Sequence, residues 1–137
     1  MEFAILAPFL FLVLFGIIEF GWAFYQKIDV RHGAREGARL AAVDYGDGNL
    51  NTLVAEICDR MDSSSTAGVD IAITKGGSGD IGDEVTVTVQ RRLVTITGFL
   101  DSFLGGKTMQ STIRTRLEQE ATFANEPSES LPGNDCP

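Results

Sequence analysis

Residues 3–18 form an uninterrupted stretch of sixteen residues without a charged side chain, bounded by Glu2 and Glu19. Its members are Phe, Ala, Ile, Leu and Val with one proline and one glycine. A helix built from them has no polar face to turn toward water, so it belongs in lipid or among other protein chains. No cluster of turn residues follows before residue 44, and the whole of residues 1–43 is expected as one helix. At about 1.5 Å per residue that helix is roughly 60 Å long. A bilayer core is about 30 Å thick. Residues 1–25 are therefore expected in a membrane or a filament core, and residues 26–124 in a water-exposed domain that includes the second half of the helix. Residues 125–137 read as a tail, rich in Pro, Ser, Gly and Glu.

Charge divides the chain in the same place. Residues 1–43 carry four acids (Glu2, Glu19, Asp29, Glu36) and four bases (Lys27, Arg31, Arg35, Arg39), so the net charge of -8 lies entirely beyond them. An acidic domain lacks the clustered Lys and Arg that phosphate neutralisation needs, which argues against nucleic acid as a partner. Catalysis is not expected either. His32 is the only histidine, and no Cys, Ser or carboxylate constellation stands at a catalytic spacing around it. No Cys/His metal pattern occurs, and no cofactor is expected.

Within the long helix, Pro8 lacks an N–H and predicts a bend or a short melted turn over residues 4–8. Phe9, Phe11, Phe15, Phe20, Trp22, Phe24 and Tyr25 make the segment aromatic, and packing with interfacial anchoring accounts for them. Farther on, Gly33, Ala34, Gly37, Ala38, Ala41 and Ala42 repeat small residues at helical spacing, a face that lets another backbone approach closely. Lys27, Arg31, Arg35 and Arg39 recur every four residues on another face. Like charges at that spacing repel, so this stripe either meets acidic partners or is a solvated face.

Residues 44–49 (Asp-Tyr-Gly-Asp-Gly-Asn) end the helix as a turn; their acids do not match an EF-hand loop. Asn49 or Asn51 then caps a second helix reaching about Met61, with Leu53, Val54, Ile57 and Met61 on one face. A polar loop at residues 63–66 follows. Val69, Ile71 and Ile73 alternate with polar or small residues in a strand over residues 69–75. Val85, Val87 and Val89 alternate similarly over residues 83–92, and the short glycine-rich connection implies antiparallel pairing. A short helix from Thr97, closed by Gly105 and Gly106, is expected next. Phe99, Leu100, Phe103 and Leu104 make it an apolar cluster at the domain edge, in need of a partner or lipid. The third strand, residues 107–118, can run on toward Phe123. The expected fold is α+β: a long hydrophobic helix, one or two short helices and a three-stranded antiparallel sheet.

Cys58 and Cys136 are too few for a disulfide scaffold. They either pair, tying the tail to the body, or remain a buried thiol and a terminal one. Basic residues just after the apolar run would place the head in the cytoplasm if the chain were an intact transmembrane protein. An oxidised cysteine pair contradicts that, and removal of a basic leader from in front of Met1 resolves the conflict.

Three stretches carry a family resemblance. Glu2-Phe3-Ala4, then Gly16-Ile17-Ile18-Glu19-Phe20-Gly21, then Ala34-Arg35-Glu36-Gly37-Ala38-Arg39 followed by Ala41-Ala42, closely resemble TadE-like proteins. These are the pseudopilins of tight-adherence (Flp-type) pilus systems within the type IV filament superfamily. The resemblance implies an extracytoplasmic α+β head, leader removal by a prepilin peptidase and assembly by a secretion-type machine. It also implies polymerisation with other copies of the chain into a helical filament for surface attachment, after residence in the cytoplasmic membrane. The alternative is a membrane-anchored minor pseudopilin that primes assembly or presents an adhesive head. Glu2 resembles the acidic residue that registers subunits in such filaments, and Phe3, Phe9, Phe15, Phe20 and Trp22 would be core contacts. Glu19, buried in the same core, is expected to meet a neighbouring subunit's cationic N-terminus or Lys27, with an axial offset of roughly 25 Å.

Overall fold

The computed structural model describes residues 2–61, 68–98, 101–125 and 136. Helix α1 (Glu2–Ala42) is one continuous element of 41 residues. The melted turn expected around Pro8 does not occur: the helix runs through it. Proline there removes only the bond to the carbonyl of residue 4, and the remaining ladder carries the helix past it. After α1 a tight turn with positive φ at Asp44, Gly46, Asp47 and Gly48 reverses the chain. Helix α2 (Leu50–Arg60) starts from Asn49, whose side-chain oxygen accepts from the N–H groups of Asn51 and Thr52.

Strands β1 (Val69–Lys75), β2 (Glu84–Arg92) and β3 (Thr108–Arg116) form an antiparallel sheet in that order. In register, Val87 lies between Ile73 and Ile113, and Val89 between Ile71 and Ser111. This puts Val69, Ile71, Ile73, Val85, Val87 and Val89 on one buried face. The other face carries Thr74, Thr86, Thr88 and Thr112, with the Thr88 and Thr112 hydroxyls 3.0 Å apart. Helix α3 (Asp101–Leu104) begins four residues later than expected from Thr97. Strand β3 stops at Arg116, because Leu117 turns away to bond Gly82 and Asp83.

The core forms where the second half of α1 crosses the sheet. Val30, Ala34, Ala38 and Ala41 of α1 meet Leu53 and Ile57 of α2 and the valine and isoleucine face of β1 and β2. Close approach explains the two head-facing glycines. A Cβ on Gly33 would sit 2.6 Å from Met61 Sδ, and one on Gly37 2.9 Å from Ile57 Cδ1 and 3.0 Å from Val87 Cγ1. The segment after β3 returns to the helix end: Glu118 and Gln119 donate their N–H groups to the Ala42 carbonyl, at 2.8 and 3.3 Å. These satisfy a carbonyl that the helix C-terminus leaves open. Asp44 accepts from Thr122 N and Oγ1 at 3.2 and 2.7 Å. Lys75 covers the Phe123 ring and donates to Ala121 O at 2.6 Å.

Cys58 of α2 is bonded to Cys136, with Cα atoms 5.4 Å apart. The bridge closes a separation of 78 residues, for which the chain-entropy model gives roughly 4 kcal/mol. Residues 126–135 and 137 of the tail, the serine-rich loop at 63–66, and Phe99 and Leu100 of the apolar cluster lie outside the described residues.

Gly37→Val inserts methyl groups where Ile57 and Val87 leave no room. The expected loss is about 1–3 kcal/mol of unfolding free energy, read as the denaturant midpoint of the chain in detergent. An unchanged midpoint would contradict this packing.

Candidate interaction surface

The exposed surface of α1 starts where the head stops. Between Phe3 and Ile18 every described large apolar side chain is at least 39% exposed, and Phe3 and Ile5 reach 78%. These positions surround the helix, so no head surface covers any side of it there. The helix is long and apolar enough to cross a membrane, with a mean hydropathy of 2.2 in its span. Beyond residue 18 the helix acquires two sides. Phe20, Phe24 and Ile28, one turn apart, stay 52 to 67% exposed. Phe20, Phe24 and Lys27 border a groove of about 400 Å³ whose far wall is Thr108, Met109 and Gln110 of β3.

The opposite side carries two buried polar residues, Glu19 and Gln26, two turns apart and in line with Gly33. Both hold the segment that leaves β2. The Glu19 carboxylate accepts from Ile96 N at 3.2 Å, Thr97 N at 2.6 Å and the Thr97 hydroxyl. Gln26 pairs with the Val94 backbone, donating to its O at 2.8 Å and accepting from its N at 3.1 Å. Helix and head are thus joined by polar contacts well before the apolar core begins. Within one chain Glu19 thus finds donors of its own, in the segment that leaves β2. Gln26 and Ile96 were not singled out from the sequence as contact residues, and Thr97 was expected only as the start of a short helix. The readable signal was the stripe Glu19, Gln26, Gly33, Gly37, a polar pair continuing the small-residue face.

Around this junction Trp22 stacks on Tyr25 with ring centroids 5.1 Å apart. Trp22 is half-buried, turned toward the head rather than outward like the other expected core contacts Phe3, Phe9, Phe15 and Phe20. Its Nε1 is buried and has no hydrogen-bond partner, as do Nε and Nη1 of the buried Arg91. Burial pushes the Arg91 guanidinium below its usual pKa, and the charge of Asp29 pulls it back. Glu2 opens the helix, but its side chain lies outside the described residues, as do those of Phe103 and Leu104.

The basic stripe is exposed at Lys27, Arg31, Arg35 and Arg39. Arg39 is engaged within the chain, 2.7 Å from Glu36. Glu36 also meets Arg60, which reaches Glu56 at 2.8 Å, and Glu56 accepts from the Tyr45 hydroxyl. This network fastens α2 to α1 at the surface. The hydrogen bond from Arg39, helped by the charges of Arg39 and Arg60, holds the Glu36 carboxyl below its ordinary value. His32 is exposed on α1 beside a shallow groove shared with Tyr25, Asp29, Arg60 and Met61. Among the described residues no group of three or more His, Cys, Asp or Glu stands close enough to hold a metal ion.

Two measurements test these contacts. Glu19→Ala removes the acceptor for two backbone N–H groups, so amide exchange at Ile96 and Thr97 should accelerate about tenfold or more, with the β2 amides unchanged. Unaltered exchange at those two positions would refute the junction. For Glu36, a carboxyl whose folded pKa lies below 4.5 adds stability above that value and loses it as pH falls further. The acid limb of the stability profile should therefore flatten in Glu36→Gln, and an identical limb would count against the network.

Residues 1–39 match the family model of the TadE-like proteins. Comparison with curated proteins and with solved structures finds no match.

Proposed function

We propose that this chain, TadE-like over its first 39 residues, is a structural subunit of a Tad pilus that polymerises through the apolar half of α1. TadE-like proteins are a pilus-associated structural family rather than an enzymatic one. The observation that carries the proposal is the bare apolar surface of α1 from Phe3 to Ile18, exposed on every side. Water does not tolerate such a surface, and two environments can cover it in turn: the membrane before assembly and the helices of other copies after it. A long sticky helix at one end of an acidic head makes contacts that do not close, which is how open helical polymers arise.

In that reading residues 1–25 form the filament core and the head faces outward, with Phe3, Phe9, Phe15 and Phe20 packing between subunits. Glu2, at the head of the helix, is the carboxylate left to register against a neighbour. The stripe of Lys27, Arg31 and Arg35 faces acidic heads of adjacent copies. A prepilin peptidase and the pilus assembly machinery are the partners that bring the chain to that state. The filament's role is attachment to surfaces.

Electron microscopy of material sheared from cells, with mass spectrometry of its main protein, tests the proposal. Long filaments made chiefly of this chain are expected. Retention in the membrane fraction without filaments would instead make it an anchored minor pseudopilin.

A further inference from the structure

We infer that residues 93–98 form a foot of the head that dips into the bilayer, with Val94 and Ile96 at the hydrocarbon boundary at the depth of Glu19. The inference rests on the membrane stage of the function proposed above. It starts from length. The uncharged run between Glu2 and Glu19 is sixteen residues, about 24 Å of helix, and a bilayer core is about 30 Å thick. A bilayer of that thickness takes in at least one of the two flanking carboxylates. Glu19 is the one the head equips for it. It is 1% exposed, and its oxygens accept from Ile96 N, Thr97 N and the Thr97 hydroxyl. A carboxylate supplied with donors inside the chain escapes most of the penalty of leaving water.

Hydrogen bonds of this length fix the loop at the same depth as the residue it covers. Backbone near hydrocarbon needs its polar groups held within protein, and four of the loop's N–H groups and one of its carbonyls are held in this way by the helix and by β3's approach. Leu93 N donates to Lys107 O at 2.8 Å, Val94 N and O pair with Gln26, and Ile96 N and Thr97 N are held by Glu19. No charged side chain occurs between Arg92 and Asp101. Val94 is 51% exposed and Ile96 55% exposed. Exposed cations stand at the roots of the segment, Arg92 before it and Lys107 across from Leu93, where phospholipid headgroups carry phosphate. The apolar tip, the basic roots and the continuity with the bare helix select a phospholipid bilayer as the occupant.

The experiment places one tryptophan reporter at a time in the full chain, reconstituted in phosphatidylcholine vesicles brominated on the acyl chains. Trp22 is the only tryptophan, and since its Nε1 makes no hydrogen bond, W22F removes the background without breaking one. In that background I96W reports the foot, F11W the span and T112W the exposed far face of the sheet. The expected result is quenching of I96W within about twofold of F11W, with T112W unquenched. A quenched F11W beside an unquenched I96W overturns the foot and leaves membrane insertion standing. An unquenched F11W overturns both. Quenching of I96W that disappears when the protein is diluted in excess lipid would mean that the loop reaches the acyl chains only when copies crowd together, and it too overturns the foot.

Discussion

A charged side chain inside an apolar helix has to be satisfied by something, and at Glu19 the chain satisfies it with its own head. The carboxylate takes the N–H groups of Ile96 and Thr97, and two turns on Gln26 repeats the arrangement with Val94. Two turns further on the same stripe becomes glycine at Gly33, and one turn later at Gly37, where Met61, Ile57 and Val87 press against the helix backbone. Polar, then apolar contacts thus run along one line of α1. They hold the head in a single register on the helix, which a smooth apolar surface alone would not do.

That register divides α1 into a bare half and a clothed half. On the clothed half, the far end is tied as firmly as the near one: the Ala42 carbonyl takes two N–H groups from the segment after β3, and Asp44 takes Thr122. The disulfide from Cys58 to Cys136 adds a covalent tie on α2. The head therefore acts as a splint on the helix, so force or motion applied to the apolar half is transmitted to the sheet. The proposed passage from lipid into a polymer would draw on that property. The same register makes the loop after β2 lie beside the apolar span instead of at the far end of the head.

What could be read from the sequence follows from how local each signal is. The alternating valines and isoleucines of β1 and β2 marked those strands and their buried face, because one side of an antiparallel sheet packed on a helix leaves a period of two. Asn49 or Asn51 marked the start of α2 because a short polar side chain caps well there, and Asn49 is the cap. The long helix was legible from its unbroken apolar run, though Pro8 suggested a disruption that one missing hydrogen bond does not produce. Residues 93–98 were read poorly for a nonlocal reason. A short helix was expected from Thr97, but its hydroxyl and N–H are spent on a residue 78 positions away. The donors that Glu19 finds in its own chain were likewise illegible, because they lie far from it in sequence. Gln26 went unnoticed for the same reason: a lone amide in a helix has no local signature.

The junction at Glu19 is the claim on which the account of helix and head depends. The most direct measurement is the nuclear Overhauser contact between the Thr97 amide proton and the Glu19 side chain, in the full chain in detergent micelles. The account predicts a strong contact, with the Thr97 amide shifted downfield by its carboxylate acceptor. An absent contact, with Thr97 exchanging as freely as an open loop, would contradict it.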